Sequence, residues 1–239
     1  MTHTASRLAL GLLFAFLLAA PVAAPRAAPA TGAPAAQPAL AIQSTVEGGF
    51  AIGDPKAPVT LIEYASLTCP HCRHFHEEAM PTLRKLAAQG KLRYEFRNFI
   101  LNGPDFAATL IARCQGPAGF FRWTDTFFTQ QDKWLEPFGR ITEQQGESIQ
   151  KAQPAQQPRM IAELGGLVGW VTARGLKADS VKACLSDVQG QEAVLKLRQL
   201  GAEYHGVHLT PSFVLNGLPL SDTGDWATLQ PQLNAMLSR

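Results

Sequence analysis

The order of three segments between Val59 and Phe99 constrains this chain more than any other feature: an apolar run, a long amphipathic pattern and a second alternating run. Val59-Thr60-Leu61-Ile62-Glu63-Tyr64 is strand-like and apolar on both faces, which suits a central position in a sheet. The turn cluster Gly53-Asp54-Pro55-Lys56-Ala57-Pro58 delivers the chain into it. Cys69-Pro70-His71-Cys72 then opens a helical pattern running to Ala88, with Cys72, Phe75, His76, Ala79, Leu83 and Leu86 on one stripe. Pro81 is expected to kink this helix and Gly90 to end it. Leu92 to Phe99 alternates as a second strand. Strand, helix, strand implies a right-handed crossover and parallel pairing, hence an α/β fold.

Cys69 and Cys72 stand at i and i+3 where that helix begins. They are close enough to close a tight disulfide, and the unpaired N–H groups of a helix start stabilise a thiolate there. A redox-active dithiol follows, with Cys69 as the reactive member.

From Asp105 to about Ser186 the pattern is helical, with pieces at Phe106 to Cys114, Phe120 to Gln130, Met160 to Arg174 and Ser180 to Leu185. A helical subdomain of about residues 105–186 therefore interrupts the α/β unit. Between Glu136 and Pro158 lies a polar stretch with six glutamines, read as a surface excursion or a short irregular helix. The α/β pattern resumes with a helix from about Gln191 to Tyr204 and a strand from Ser212 to Leu215. Asn216-Gly217 is a two-residue hairpin turn, so a strand from Leu218 should pair antiparallel, and Asp225 should cap a closing helix, Trp226 to Leu237.

The amino end reads as an export signal over residues 1–30: Arg7 is a short basic region, and the 13 residues from Leu8 to Ala20 are apolar but too few to span a bilayer. Cleavage is expected near residue 24 or residue 30; a retained amino-terminal anchor is the alternative. The Ala/Pro-rich residues 31–45 are read as a disordered spacer, leaving residues 46–239 as the folded domain. The net charge of +2 asks for neither nucleic acid nor an acidic surface. In an oxidising compartment, such as the periplasm, cysteine pairing becomes the default.

Two further features join the dithiol. Thr210-Pro211 immediately precedes a late strand, where proline cannot serve a central ladder and suits a cis bond in a tight turn. Glu63 lies inside an apolar strand, where burial is costly unless the carboxyl is paired or protonated; a partly exposed glutamate at a strand end is the alternative.

With Glu63, Cys69-Pro70-His71-Cys72, Arg73 to Glu78, Pro81, Cys114, Cys184-Leu185 and Thr210 to Gly217 in this order, the chain resembles the DsbA-type thiol:disulfide oxidoreductases of the thioredoxin superfamily. The resemblance covers about Gly53 to Ser238 and implies a thioredoxin fold carrying a helical insertion. It further implies that Cys69 is the exposed nucleophile and Cys72 its buried resolving partner. Pro70 has no N–H to lose in the first helical turn, and His71 adds a donor or a positive charge beside the thiolate. Thr210 and Pro211 would offer backbone hydrogen bonds to an extended substrate, and Glu63 would help move the proton of the inner cysteine. With Cys69 and Cys72 accounted for, Cys114 and Cys184 have only each other, and a structural disulfide is expected, two separate buried thiols being the alternative.

The implied activity is donation of the Cys69–Cys72 disulfide to newly exported cysteine-containing proteins, by a monomer without cofactor, reoxidised by a DsbB-type membrane quinone reductase. Isomerase and reductase activities on the same dithiol are the near alternatives. A soft-metal role, copper above all, is the remote one: His71 and His74 point away from the cysteines around the helix, and His76 falls on the packed stripe. No metal site is expected. His208 is read as a solvated loop histidine beside the Thr210-Pro211 turn.

Overall fold

The structure, a computed structural model, describes residues 40–239. The export signal and most of the expected spacer lie outside the described residues. Strands β1 (Ile42–Ser44), β2 (Phe50–Ile52), β3 (Val59–Ala65), β4 (Leu92–Asn98), β5 (Ser212–Leu215) and β6 (Leu218–Pro219) form a six-stranded mixed sheet in the order β1-β2-β4-β3-β5-β6. β3 and β4 pair in parallel, Glu63 standing opposite Phe96, and the remaining neighbours pair antiparallel. The apolar strand is central, as its composition requires, and β6 follows the Asn216-Gly217 turn as expected.

β1 corrects the reading of residues 31–45 as spacer. Ile42, Gln43 and Ser44 pair with Ile52, Ala51 and Phe50 through a turn closed by the Thr45 N–H on the Gly49 carbonyl at 2.9 Å. Strands of three residues carry no periodicity to read, so neither β1 nor β2 was visible; the domain starts before residue 46.

Helix α1 (Pro70–Ala88) crosses from β3 to β4 and runs on through Pro81. Its buried stripe of Cys72, Phe75, His76, Ala79, Met80 and Leu83 packs on the sheet face formed by Leu61, Glu63, Tyr94, Phe96 and Phe213. The insertion comprises α2 (Gly103–Arg113), α3 (Gly116–Thr129), α4 (Gln131–Leu135), α5 (Glu143–Lys151), α6 (Gln157–Leu164), α7 (Leu167–Thr172) and α8 (Ala178–Leu185). Its core is aromatic, with Phe127 between Trp134 and Trp170 at ring-centroid distances of 5.2 and 5.6 Å.

The single helix expected over Met160 to Arg174 is two, because Gly166 adopts φ +70°, a left-handed conformation that ends α6 and starts α7. The glutamine-rich stretch contains α5, which has a full capping box between Thr142 and Gln145. Helix α9 (Val188–Tyr204) covers the opposite sheet face, where a Cβ on Gly201 would meet the Tyr64 ring at 2.8 Å. Helix α10 (Trp226–Leu237), capped by Asp225, completes the fold.

Candidate active site

Cys69 is the N-cap of α1: its Sγ accepts the Cys72 N–H at 3.4 Å, and in the thiol form it donates to the Thr210 carbonyl at 3.3 Å. Pro70 occupies the first helical turn at no hydrogen-bonding cost. Both cysteines are free thiols, and Cys69, expected to be exposed, is instead buried at 6% exposure, with Cys72 at 0%; the Thr210–Pro211 peptide bond is cis, and the Thr210 carbonyl faces the Cys69 sulfur.

The environments of the two thiols push them apart. The Cys69 thiol is lowered to about 5, chiefly by the hydrogen bond from the Cys72 thiol, against burial, with help from the Thr210 side chain and the Cys72 and His71 N–H groups. Cys72 is raised well above its ordinary value by burial, by its hydrogen bond to Cys69 and by the nearby charges of Cys69 and Glu63. The His71 ring is exposed, and no hydrogen bond among the described residues joins it to Cys69; its contribution to the sulfur runs through its backbone N–H.

Glu63 is 1% exposed, which excludes the strand-end alternative. Its Oε2 accepts the Tyr94 hydroxyl, while Oε1 is buried without a partner among the described residues. Burial raises the carboxyl to about 8, opposed by the Tyr94 hydrogen bond and reinforced by the Cys69 charge. Glu63 therefore holds its proton at neutral pH beneath the dithiol. Tyr94 was not singled out from the sequence, although parallel pairing of β3 with β4, in which Leu61 faces Tyr94, places it next to Glu63.

Cys114 and Cys184 form a disulfide with a Cα–Cα distance of 5.8 Å, joining the end of α2 to the last turn of α8. His76 is packed, its Nε2 2.8 Å from Asp125 Oδ1, and His208 is exposed in its loop. Among the described residues no three His, Cys, Asp or Glu side chains converge as metal donors.

The thioredoxin family model matches residues 45–235. The chain belongs to the thioredoxin family. It is 32% identical to a protein-disulfide isomerase of Novosphingobium aromaticivorans of known structure, with a TM-score of 0.75 over 79% of this chain and 97% of that one. Wolbachia pipientis α-DsbA1 has the same fold with its helical insertion, at a TM-score of 0.62 and 22% identity, over 82% of this chain and 94% of that one. A Rickettsia typhi protein provisionally named a protein-disulfide oxidoreductase is 28% identical over 169 residues, 70% of this chain and 54% of that protein. The chain spans between 54% and 61% of the length of the five rickettsial relatives it matches.

Proposed function

We propose that this protein is an exported thiol:disulfide oxidoreductase that donates its Cys69–Cys72 disulfide to newly exported proteins. The observation that carries this reading is the unequal placing of the two sulfurs: Cys69 caps the start of α1, where its Sγ accepts the Cys72 N–H at 3.4 Å, while Cys72 is fully buried, and the surroundings accordingly push the Cys69 thiol down to about 5 and the Cys72 thiol up. A stabilised Cys69 thiolate favours the reduced enzyme, which makes the disulfide a strong oxidant and Cys69 a good leaving group.

In the proposed cycle a substrate thiolate attacks Cys69 Sγ and breaks the Cys69–Cys72 bond, and Cys72 leaves as a thiolate. Glu63, protonated below about pH 8, supplies the proton that neutralises Cys72 and regains one released by the substrate thiols, which returns it to its protonated form in the reduced enzyme. A second substrate thiolate then attacks the substrate sulfur of the mixed disulfide, releasing the oxidised substrate and the Cys69 thiolate. Two electrons have passed from the substrate dithiol to the enzyme. Thr210, whose carbonyl lies 3.3 Å from Cys69 Sγ, would align the extended substrate. The leader-like amino end and the Cys114–Cys184 disulfide support a periplasmic location. Reoxidation by a DsbB-type quinone reductase and action as a monomer are parts of the same proposal.

The redox equilibrium of Cys69–Cys72 with glutathione tests it. A potential more oxidising than about −200 mV is expected, and a value near the −270 mV typical of thioredoxin would reject disulfide donation. The Novosphingobium neighbour favours isomerisation as a second reading. Recovery of activity from a scrambled, fully oxidised substrate at a rate matching oxidation of the reduced one would select it.

A further inference from the structure

The four residues from the end of β3 through the nucleophile, Ser66 to Cys69, are held largely from the helical insertion. The Leu67 N–H is accepted by Asp105 Oδ1 at 3.0 Å, and the Leu67 carbonyl by Gln131 Nε2 at 2.9 Å. The same Gln131 amide nitrogen donates to the Cys69 carbonyl at 3.0 Å, an oxygen that already receives the Arg73 N–H of the first helical turn at 3.1 Å. Asp105 Oδ2 takes the Leu101 N–H at 3.0 Å, so one carboxylate ties the nucleophile loop to the chain entering α2. Asn102, the N-cap of α2, donates to Thr68 Oγ1 at 3.0 Å. Two further backbone donors of the loop are satisfied within it, the Thr68 N–H on Ser66 Oγ at 3.2 Å and the Cys69 N–H on the Ser66 carbonyl at 3.2 Å. Asp105 is fully buried and Gln131 is 2% exposed, so water does not compete for these bonds.

We propose that Gln131 and Asp105 are positioning residues for the nucleophile, fixing the two peptide groups that flank Leu67 and the Cys69 carbonyl so that the first N–H groups of α1 stay aimed at Cys69 Sγ. Neither residue touches a reacting atom. The Cys72 N–H reaches the sulfur at 3.4 Å, an ordinary separation for a hydrogen bond to sulfur, and a loop left free to move would turn that N–H out of line with it. The insertion thereby acts on the chemistry of the α/β unit: it sets how well the helix start stabilises the thiolate. This rests on the reading of Cys69 as the activated nucleophile.

The test is a thiolate titration of Cys69 by ultraviolet absorbance, with the rate of alkylation at fixed pH as a second readout. Three full-length reduced proteins are compared: wild type, Gln131→Met and Val181→Ala. Val181 is a buried core residue of α8 and serves as a control for simple loosening of the insertion. Gln131→Met keeps the volume and removes both donors. It should raise the Cys69 midpoint by about one unit, a tenfold loss of thiolate at pH values below the midpoint. Val181→Ala should lower the melting temperature and leave the midpoint at its wild-type value.

A low wild-type midpoint with an unchanged one in Gln131→Met overturns the positioning role alone, and so does an equal rise in Val181→Ala. A wild-type midpoint in the ordinary thiol range overturns the reading of Cys69 itself. Should Gln131→Met not fold, Gln131→Asn, whose amide is one carbon short of the loop, is read by the same criterion. Failure of both variants to fold also overturns the proposal, since the side chain is then needed for folding itself.

Discussion

The two cysteine pairs stand at opposite ends of their helices. Cys69 caps the N-terminus of α1, where free N–H groups and the positive end of the helix dipole favour a thiolate. Cys114 is the C-cap of α2 and Cys184 lies in the last turn of α8, where carbonyls crowd and a thiolate is disfavoured. The first pair also has a buried acid beneath it and the Thr210 carbonyl beside it, whereas the second closes a separation of 70 residues between two helices of the insertion. One side-chain type thus serves chemistry in one place and mechanical closure in another, and helix polarity separates the two roles.

The largest effect should come from Cys69→Ser, which removes the nucleophile: oxidation of a reduced protein substrate should fall by about a thousandfold or more. Replacing Cys114 and Cys184 together by alanine should leave that rate within a few fold. A comparable loss of turnover in the double variant would break the division of roles.

The same double variant should lose about 4 kcal/mol of stability in a urea unfolding curve, the entropy of closing a loop of this length. Next in size is a pH effect at Glu63. Its carboxyl, ordinarily at 4.5, stands at about 8 in the folded protein, so its stabilising contribution is complete below about pH 4.5 and is lost as the pH rises through about 8. Relative to Glu63→Gln, the reduced wild type should lose on the order of 3 kcal/mol between pH 5 and pH 8. Parallel stability curves for the two proteins would show that Glu63 does not hold its proton. The smallest effect belongs to His71→Ala, which leaves the backbone N–H in place and should raise the Cys69 midpoint by about one unit or less. A larger rise would assign the imbalance between the two pairs to the imidazole rather than to the helix start.

Much of this was legible in the sequence, for identifiable reasons. β3, α1 and β4 are long enough to show their periods, and Asn216-Gly217 and Asp225 are local signals that tertiary packing did not override. Cys69, Cys72 and Glu63 stood out because their types conflict with, or specialise, the segments that hold them. β1 and β2 were hidden by their length, and the break between α6 and α7 by an apolar pattern that continues across Gly165-Gly166. Tyr94 looked like an ordinary strand aromatic, and only the register of β4 against β3 gives its hydroxyl a partner. Gln131 carried no signal: one amide in a chain with many becomes particular only when the fold sets it between the Leu67 and Cys69 carbonyls. Asp105 reads as a first-turn acid of α2, and the loop it grips is 38 residues away.

The central claim, that the start of α1 turns Cys69 into a stabilised thiolate while the cysteine three residues later stays a thiol, is met most directly by titrating the reduced Cys69–Cys72 pair and identifying by mass spectrometry which sulfur is alkylated at each pH. A midpoint near 5 with alkylation confined to Cys69 through neutral pH is the expected result. A first midpoint at or above about 8, or equal labelling of Cys69 and Cys72, would contradict it.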